Sequence, residues 1–415
     1  MKTINLRLTL GIVTAVLCLS AFPMMCQRRE AKPRYINPVA GEFPIMGYRA
    51  FEEAHLLTAK NYKLMREAGF NLAFPVTDKT EIVTKAIAAA DSAGMKIVVT
   101  DVAIRRENTE AATIREYMHN PATAMYYLID EPGASAFPGI GARMRLAEKT
   151  DSLHMPYANL FPNYASLKQL EALSYKAYVE EYVREANPPF ISFDNYPFVE
   201  KEGVTSMRPD YYKNLEDVRD VAVEAGIPFW SYANGAGHLI YPVPTQAQLA
   251  IQVFSGLAYG AQGIQYYAYC SDGNSSLGFK GSAVNPKGKR SATYKYMKNI
   301  NLEIQRLRDI FLGNRVHNVW HTGSYGNRGV RQLRDSDLPF PFVSVKAGEA
   351  GVVVSHFTNN GKNYLMILSK DFERNQNVDI RTLRNVKQID SRGRTKDFNS
   401  KRMKLKPGAH LLFTW

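Results

Sequence analysis

The chain has 415 residues, 45% of them hydrophobic, a formal net charge of +13 and only three cysteines. This is ample for one large core plus a smaller one, and it excludes a disulfide framework. The basic excess is peripheral, about +5 before residue 41 and about +10 after Gly313, and no recognition motif accompanies it, so a nucleic-acid partner is not expected.

Lys2 and Arg7 precede an apolar run over residues 8–22, too short and wrongly flanked for a membrane span but suited to a secretory signal. Export is the expectation. Cys26 follows, then the basic stretch Gln27-Arg28-Arg29-Glu30-Ala31-Lys32, which resembles a bacterial lipoprotein signal (1–26) leading into a tether (27–40), with Cys26 as a lipid anchor. Pro23 and Met25 stand where such signals usually carry an aliphatic and a small residue, so ordinary cleavage near Ala21 stays open. Cys18 falls in the removable segment, so no disulfide is expected for Cys270. The eight histidines show no His-Glu-x-x-His spacing, and neither a metal nor a cofactor is expected.

From residue 41 short β-like runs alternate with longer helical ones. A strand at 43–49 precedes a helix at 55–68, whose Leu56, Leu57, Tyr62, Leu64 and Met65 form an apolar stripe, ended by Gly69. Strand 71–76 precedes helix 80–93, and strand 96–101, with Ile97, Val98 and Val99 contiguous, precedes helix 107–119. The fourth strand, 126–130, leads to helix 137–154, and a fifth, 157–161, to a long helix at 166–186. Strand 190–194 with helix 211–225, strand 228–233 with helix 245–259, and strand 263–270 with helix 293–312 complete the series. Eight strand and helix units in about 270 residues (41–313) match a (β/α)8 TIM barrel. An open doubly wound sheet is the alternative, but no Gly-x-Gly-x-x-Gly or P-loop follows any strand.

The fourth unit carries the strongest signal. Ala-Met-Tyr-Tyr-Leu-Ile-Asp130-Glu131-Pro132 is a strand-length apolar run that stops at two adjacent acids and a proline unable to continue the ladder. Adjacent carboxylates at the lip of a core raise one of the two pKa values, a way to keep a carboxylic acid protonated near neutral pH. The structural alternative makes Asp130 a helix cap and Glu131 a solvated acid.

Barrel chemistry gathers at the C-terminal ends of the strands, which makes the other strand ends candidates for the same site. The sixth offers Asp194, Asn195 and Tyr196; the seventh Trp230, Tyr232 and Asn234, with His238 beyond; the eighth Tyr267 and Tyr269, with Asp272 after them. Carboxylates, amides and flat rings suit a sugar, whose C–H faces stack on aromatics and whose hydroxyls need polar partners. For any one tyrosine, filling the barrel is the competing role, because only alternate side chains look inward.

Tyr-Tyr-Leu-Ile-Asp130-Glu131-Pro132, the helix segment Tyr178-Val179-Glu180-Glu181-Tyr182 and Ser192-Phe193-Asp194-Asn195-Tyr196-Pro197 resemble secreted TIM-barrel glycoside hydrolases of Bacteroidetes type, related to the retaining clan that includes β-galactosidases. The resemblance covers the barrel and, more weakly, the C-terminal region. It implies that Glu131 is the acid/base and that Asp130 contacts the sugar 2-hydroxyl. That clan places a glutamate nucleophile at the end of strand seven, whereas residues 228–238 contain no acid. Asp194 then stands as nucleophile at about 5 Å from Glu131 or as the base of an inverting pair at about 6.5 to 9.5 Å. A third route follows a resemblance to hexosaminidases, in which Asp130 positions a substrate N-acetyl group that attacks in place of an enzyme nucleophile. A glycan-binding protein that has lost its nucleophile is the competing class.

After residue 314 the periodicity becomes that of short strands at 351–357, 363–369 and 410–415, with Asn360-Gly361 as a hairpin turn, predicting a small antiparallel β-sandwich (314–415) that packs on the barrel. The basic stretches 392–396 and 401–406 read as solvated strand faces. The Gly-, Ser- and Lys-rich stretch 273–290 predicts a loop over the site.

Overall fold

The computed structural model describes residues 35–77, 79–271 and 276–415. The signal, Cys18, Cys26 and most of the expected tether, together with Asp272, lie outside the described residues. Barrel strands β1 (Ile45–Tyr48), β2 (Leu72–Phe74), β3 (Lys96–Val99), β4 (Thr123–Asp130), β5 (Met155–Leu160) and β6 (Ile191–Phe193) are followed by a hairpin of β7 (Phe198–Lys201) and β8 (Val204–Met207), then by β9 (Phe229–Asn234) and β10 (Gly263–Tyr267). Six of these ten with β9 and β10 close in the order β1-β10-β9-β6-β5-β4-β3-β2, every pairing parallel. This is the eight-stranded barrel expected of near-continuous apolar runs, because strands covered on both faces need no polar alternation.

The helices are α1 (Ala59–Glu67), α2 (Thr80–Asp91), α3 (Glu110–Tyr117), α4 (Phe137–Thr150), α5 (Leu167–Leu170), α6 (Tyr175–Ala186), α7 (Tyr211–Ala225), α8 (Gln246–Tyr259), α9 (Ala292–Arg306) and α10 (Arg308–Phe311). Local signals set their ends: Ser174 caps α6, Thr245 and Gln248 form a capping box on α8, and Gly226 takes the left-handed conformation that stops α7. The single helix expected over 166–186 is broken at Glu171, which is left-handed (φ 54°), and Ser174 then starts α6 afresh.

Two apolar layers result. One, with Tyr126, Tyr178 and Leu257, lies between strands and helices; the other, with Met46, Val98, Met125, Tyr157 and Trp230, fills the barrel. The segment from Tyr35 belongs to that inner layer: Tyr35 and Ile36 pack on it, Ile36 N–H approaches Met155 Sδ at 3.1 Å, and Trp230 Nε1–H donates to the Tyr35 hydroxyl at 3.2 Å. The tether expected through residue 40 therefore ends sooner, and the segment from Tyr35 closes the N-terminal mouth of the barrel.

The C-terminal region contains β11 (Arg315–His321), β12 (Phe342–Ala347), β13 (Val352–Asn359), β14 (Lys362–Ser369), β15 (Gln376–Thr382), β16 (Val386–Ile389), β17 (Thr395–Phe398), β18 (Lys401–Leu405) and β19 (His410–Thr414). They form antiparallel sheets ordered β11-β13-β14-β19-β16-β17 and β12-β15-β18 around a core that includes Trp320, Val354, Ile367 and Phe413. Asn360 and Gly361 both have positive φ in the tight β13–β14 turn, as Asn-Gly permits. This domain packs on α8, where Ser355 Oγ donates to the Ala258 carbonyl at 2.6 Å and the Phe254 and His410 rings lie 4.0 Å apart.

Candidate active site

A pocket of about 320 Å³ opens at the C-terminal ends of the barrel strands, and its lining includes Asp130, Glu131, Asn159, Asp194 and the rings of Tyr48, Tyr164, Tyr196, Tyr232, Tyr241 and Tyr267. A larger hollow of about 520 Å³ on the C-terminal domain has no aromatic lining.

The acids reach the pocket by different routes. On β4, Met125 and Tyr127 face the barrel and Tyr126 and Leu128 the helices, so simple alternation would turn Asp130 outward. A bulge between Tyr127 and Ile129 shifts the register against β5 and pairs Asp130 with Asn159. The extra residue re-aims the acid, a common role of bulges beside sites. Glu131 follows at φ 45°, a left-handed conformation that a non-glycine residue holds at a cost of about 1 kcal/mol or more. Its turn is pinned from α6 by the Tyr178 hydroxyl, which donates to the Pro132 carbonyl at 2.6 Å, and by Glu171, which accepts from Ser135 N–H at 2.9 Å. The short 3-10 turn after it carries no side-chain cap, so Asp130 does not serve as one. Asp194, two residues beyond inward-facing Ser192, needs no bulge.

Asn159 joins the acids. Its Nδ2 donates to Asp130 Oδ1 at 3.2 Å and to Asp194 Oδ1 at 2.9 Å, which holds those two oxygens within about 6 Å of each other. Burial pushes Glu131 up to about 7, with the Asp130 charge adding to the effect. Burial also pushes Asp194 well above the usual carboxylate range, reinforced by Glu131 and Asp130 and opposed by Asn159. Asp130 keeps contact with solvent through the pocket mouth, yet the surrounding rings remove enough hydration to raise it too, against Tyr127 and Asn159. Three crowded carboxyls cannot all ionise readily, and Glu131 holds a proton near neutral pH.

The rings form the opposite wall. Tyr196 and Tyr267 stack with centroids 5.8 Å apart at 20°, and His238 meets Tyr196, Tyr241 and Tyr267 at 6.0, 4.8 and 5.2 Å. His238 Nδ1 lies 3.0 Å from the Ala236 carbonyl and burial lowers its pKa, so the ring is neutral with Nδ1–H as donor. Leu277 lines the pocket and Phe279 packs on His238 and Tyr267, so the loop after β10 walls the site.

Of the residues singled out in the sequence, Asp130, Glu131, Asp194, Tyr196, Tyr232, His238 and Tyr267 line this pocket. Four others do not. Trp230 is fully buried at the other end of the barrel, its ring 4.9 Å from that of Phe190 and tilted by 37°. Asn195 alternates outward and donates to Asn163 Oδ1 and Asn214 Oδ1. Asn234 Oδ1 accepts from Ala236 N–H. Tyr269 lies past the end of the ladder, where side-chain alternation no longer applies, and packs on Phe51 and Phe70 at 5.6 and 5.1 Å. Tyr126, on the same strand as the acids, turns away from the pocket and donates outside the barrel to Asp151 at 2.6 Å. Asn159, Tyr48, Tyr164 and Tyr241 were missed; Asn159 and Tyr48 end strands and were accessible to the same strand-end argument.

No family model and no curated protein matches the chain. Among solved structures it is similar to a catalytic mutant of a GH42 β-galactosidase from G. stearothermophilus, at 10% identity and TM-score 0.64 over 92% of this chain and 100% of that one. It is also similar to a β-galactosidase from Bacillus circulans sp. alkalophilus (8%, TM-score 0.60, 90% and 99% covered) and to a glycoside hydrolase family 5 protein from Bacteroides vulgatus (10%, TM-score 0.55, 90% and 89%). This chain shares their fold. Within that fold, the seventh barrel strand, β9, ends at Asn234, and the described carboxylates of the pocket come from the ends of β4 and β6 alone.

Proposed function

We propose that this protein is a glycoside hydrolase that cleaves an O-glycosidic bond of an oligo- or polysaccharide, with Glu131 as proton donor. The observation that carries the reading is a carboxyl held at about 7 inside an aromatic pocket, beside two further acids, at the C-terminal mouth of a TIM barrel. Glu131 gives its proton to the bridging oxygen as the bond to the anomeric carbon breaks, and water supplies the hydroxyl that replaces the departing alcohol. Asp194 is the second carboxyl. It serves as nucleophile if the product keeps its anomeric configuration and as the base that activates water if the product is inverted. Retention confined to N-acetylated substrates instead gives Asp130 the role of positioning a neighbouring group. Tyr196, Tyr232, Tyr267 and His238 form the sugar-binding surface.

Glycan capture without cleavage is the second reading, favoured by the acid-free end of β9. Native protein and Glu131→Gln, offered aryl glycosides and natural glycans, separate the two: hydrolysis by the native chain alone, with binding in both, supports the hydrolase. Glycan binding without turnover by the native protein supports capture. Export, with lipid attachment at Cys26, belongs to the same proposal and rests on the N-terminal sequence; palmitate labelling that disappears in Cys26→Ser tests it.

A further inference from the structure

We infer that Asn159 is a positioning residue whose locked amide holds Asp130 and Asp194 as hydrogen-bond acceptors and so opposes their protonation. The inference deepens the reading of these acids as the reacting groups and rests on it. A buried chain of side chains crosses the barrel interior behind the pocket: Gln265 Nε2 on β10 donates to Ser192 Oγ at 2.9 Å, and Ser192 Oγ on β6 donates to Asn159 Oδ1 at 2.9 Å. Gln265 and Ser192 are wholly buried and Asn159 is 4% exposed, so water does not compete. With its oxygen occupied by Ser192, Asn159 presents both Nδ2 hydrogens forward, one to each aspartate. The reversed amide would set an oxygen between two carboxylate oxygens.

An amide donor favours the charged form of what it touches, and Glu131 receives no such bond from Asn159. Donation by Asn159 opposes the upward shift of Asp130 and Asp194, while the Asp130 charge pushes Glu131 up. The other titratable groups around the trio do not change charge in this range. Tyr48, Tyr127, Tyr157 and Tyr232 face Asp130, and burial holds them neutral. The same is true of Tyr164, Tyr175, Tyr178 and Tyr196 around Asp194. His238 is kept neutral by burial, and the Arg208 guanidinium lies over the Tyr164 ring at 3.9 Å and donates to the Tyr196 carbonyl.

The trio therefore responds with opposite signs. Removing the amide in Asn159→Ala raises Asp130 and Asp194 and, because the Asp130 charge then weakens, lowers Glu131. A purely structural asparagine would not divide the acids in this way. The test is carboxyl titration by NMR of Asp/Glu-labelled full-length protein, which needs no substrate and is independent of whether the protein proves to be a hydrolase. Asn159→Ala is expected to move both aspartates up by about one pH unit or more and Glu131 down from about 7. Ser192→Ala, which frees the amide without deleting it, shows the same signs at smaller size and decides the matter if Asn159→Ala fails to fold. Unchanged titrations in the folded variant, or Glu131 rising with the aspartates, overturns the inference.

Discussion

The two ends of the barrel are built from the same strands and similar residue types, yet one is plugged and the other is a pocket. At the N-terminal end Trp230 packs on Phe190 at a tilt of 37°, Tyr157 packs on Phe190 at 5.4 Å, and Tyr35 receives the indole N–H, so the segment from Tyr35 covers the barrel interior there. Gly263 on the neighbouring strand makes room for the indole, since a Cβ there would strike Trp230. Two residues beyond Trp230 on β9, Tyr232 stands in the pocket with acids across from it. Aromatic composition is alike at both ends. What differs is position along the axis and the presence of a segment that closes the mouth.

The largest effect expected from breaking this contrast is at Glu131. Glu131→Gln keeps the shape of the side chain and removes its proton, and loss of a general acid lowers kcat/KM by about 10² to 10⁴. Steady-state kinetics on any substrate of the native protein checks it. At the plugged end the expectation reverses: Trp230→Ala empties a fully buried site and costs about 3 to 5 kcal/mol of stability. Denaturant melts measure that loss, and kcat/KM of the remaining folded protein stays near the native value. A kinetic defect in Trp230→Ala at full folding would show that the two ends are not separate.

Much of this division was legible in the sequence. Parallel strands buried on both faces announce themselves as apolar runs, and helices as 3.6-residue stripes, so eight units and a barrel followed. Glu131 was legible because the chain there breaks its own pattern with two acids and a proline. Height within the barrel was not, and so Trp230 was placed with Tyr232. The outward turn of Asn195 was hidden by uncertainty over which strand face looks inward. The bulge that brings Asp130 beside Asn159 leaves no mark in a single sequence. The β7–β8 hairpin escaped because its strands are short and mostly exposed.

A pH series sharpens the contrast at smaller amplitude. Glu131 lies near 4.5 when solvated and about 7 in the fold, so between those values the folded chain keeps a proton that the unfolded chain has released. Its contribution to stability is therefore complete at low pH and fades as pH rises from about 4.5 to about 7, and kcat/KM falls on the alkaline limb above that point. Unfolding midpoints of native protein and Glu131→Gln across this range should converge at low pH and differ in slope between the two values. Parallel curves would mean that Glu131 titrates as a solvated acid.

The smallest and most selective effect is expected at a single hydroxyl. The Tyr232 oxygen is buried with no hydrogen bond of good geometry, and the Tyr157 hydroxyl is the protein group close enough to interact with it. An unsatisfied buried hydroxyl contributes nothing to the free protein, so Tyr232→Phe leaves the thermal midpoint unchanged or slightly raised. A sugar hydroxyl in the pocket is the partner it lacks, and losing a bond worth about 1 kcal/mol lowers kcat/KM roughly fivefold. Tyr126→Phe is the counterpart outside the barrel: it deletes the 2.6 Å bond to Asp151, lowers stability by about 1 kcal/mol or more and leaves kinetics alone. If Tyr232→Phe proves as destabilising as Tyr126→Phe, its hydroxyl is satisfied within the protein and is not available to a substrate.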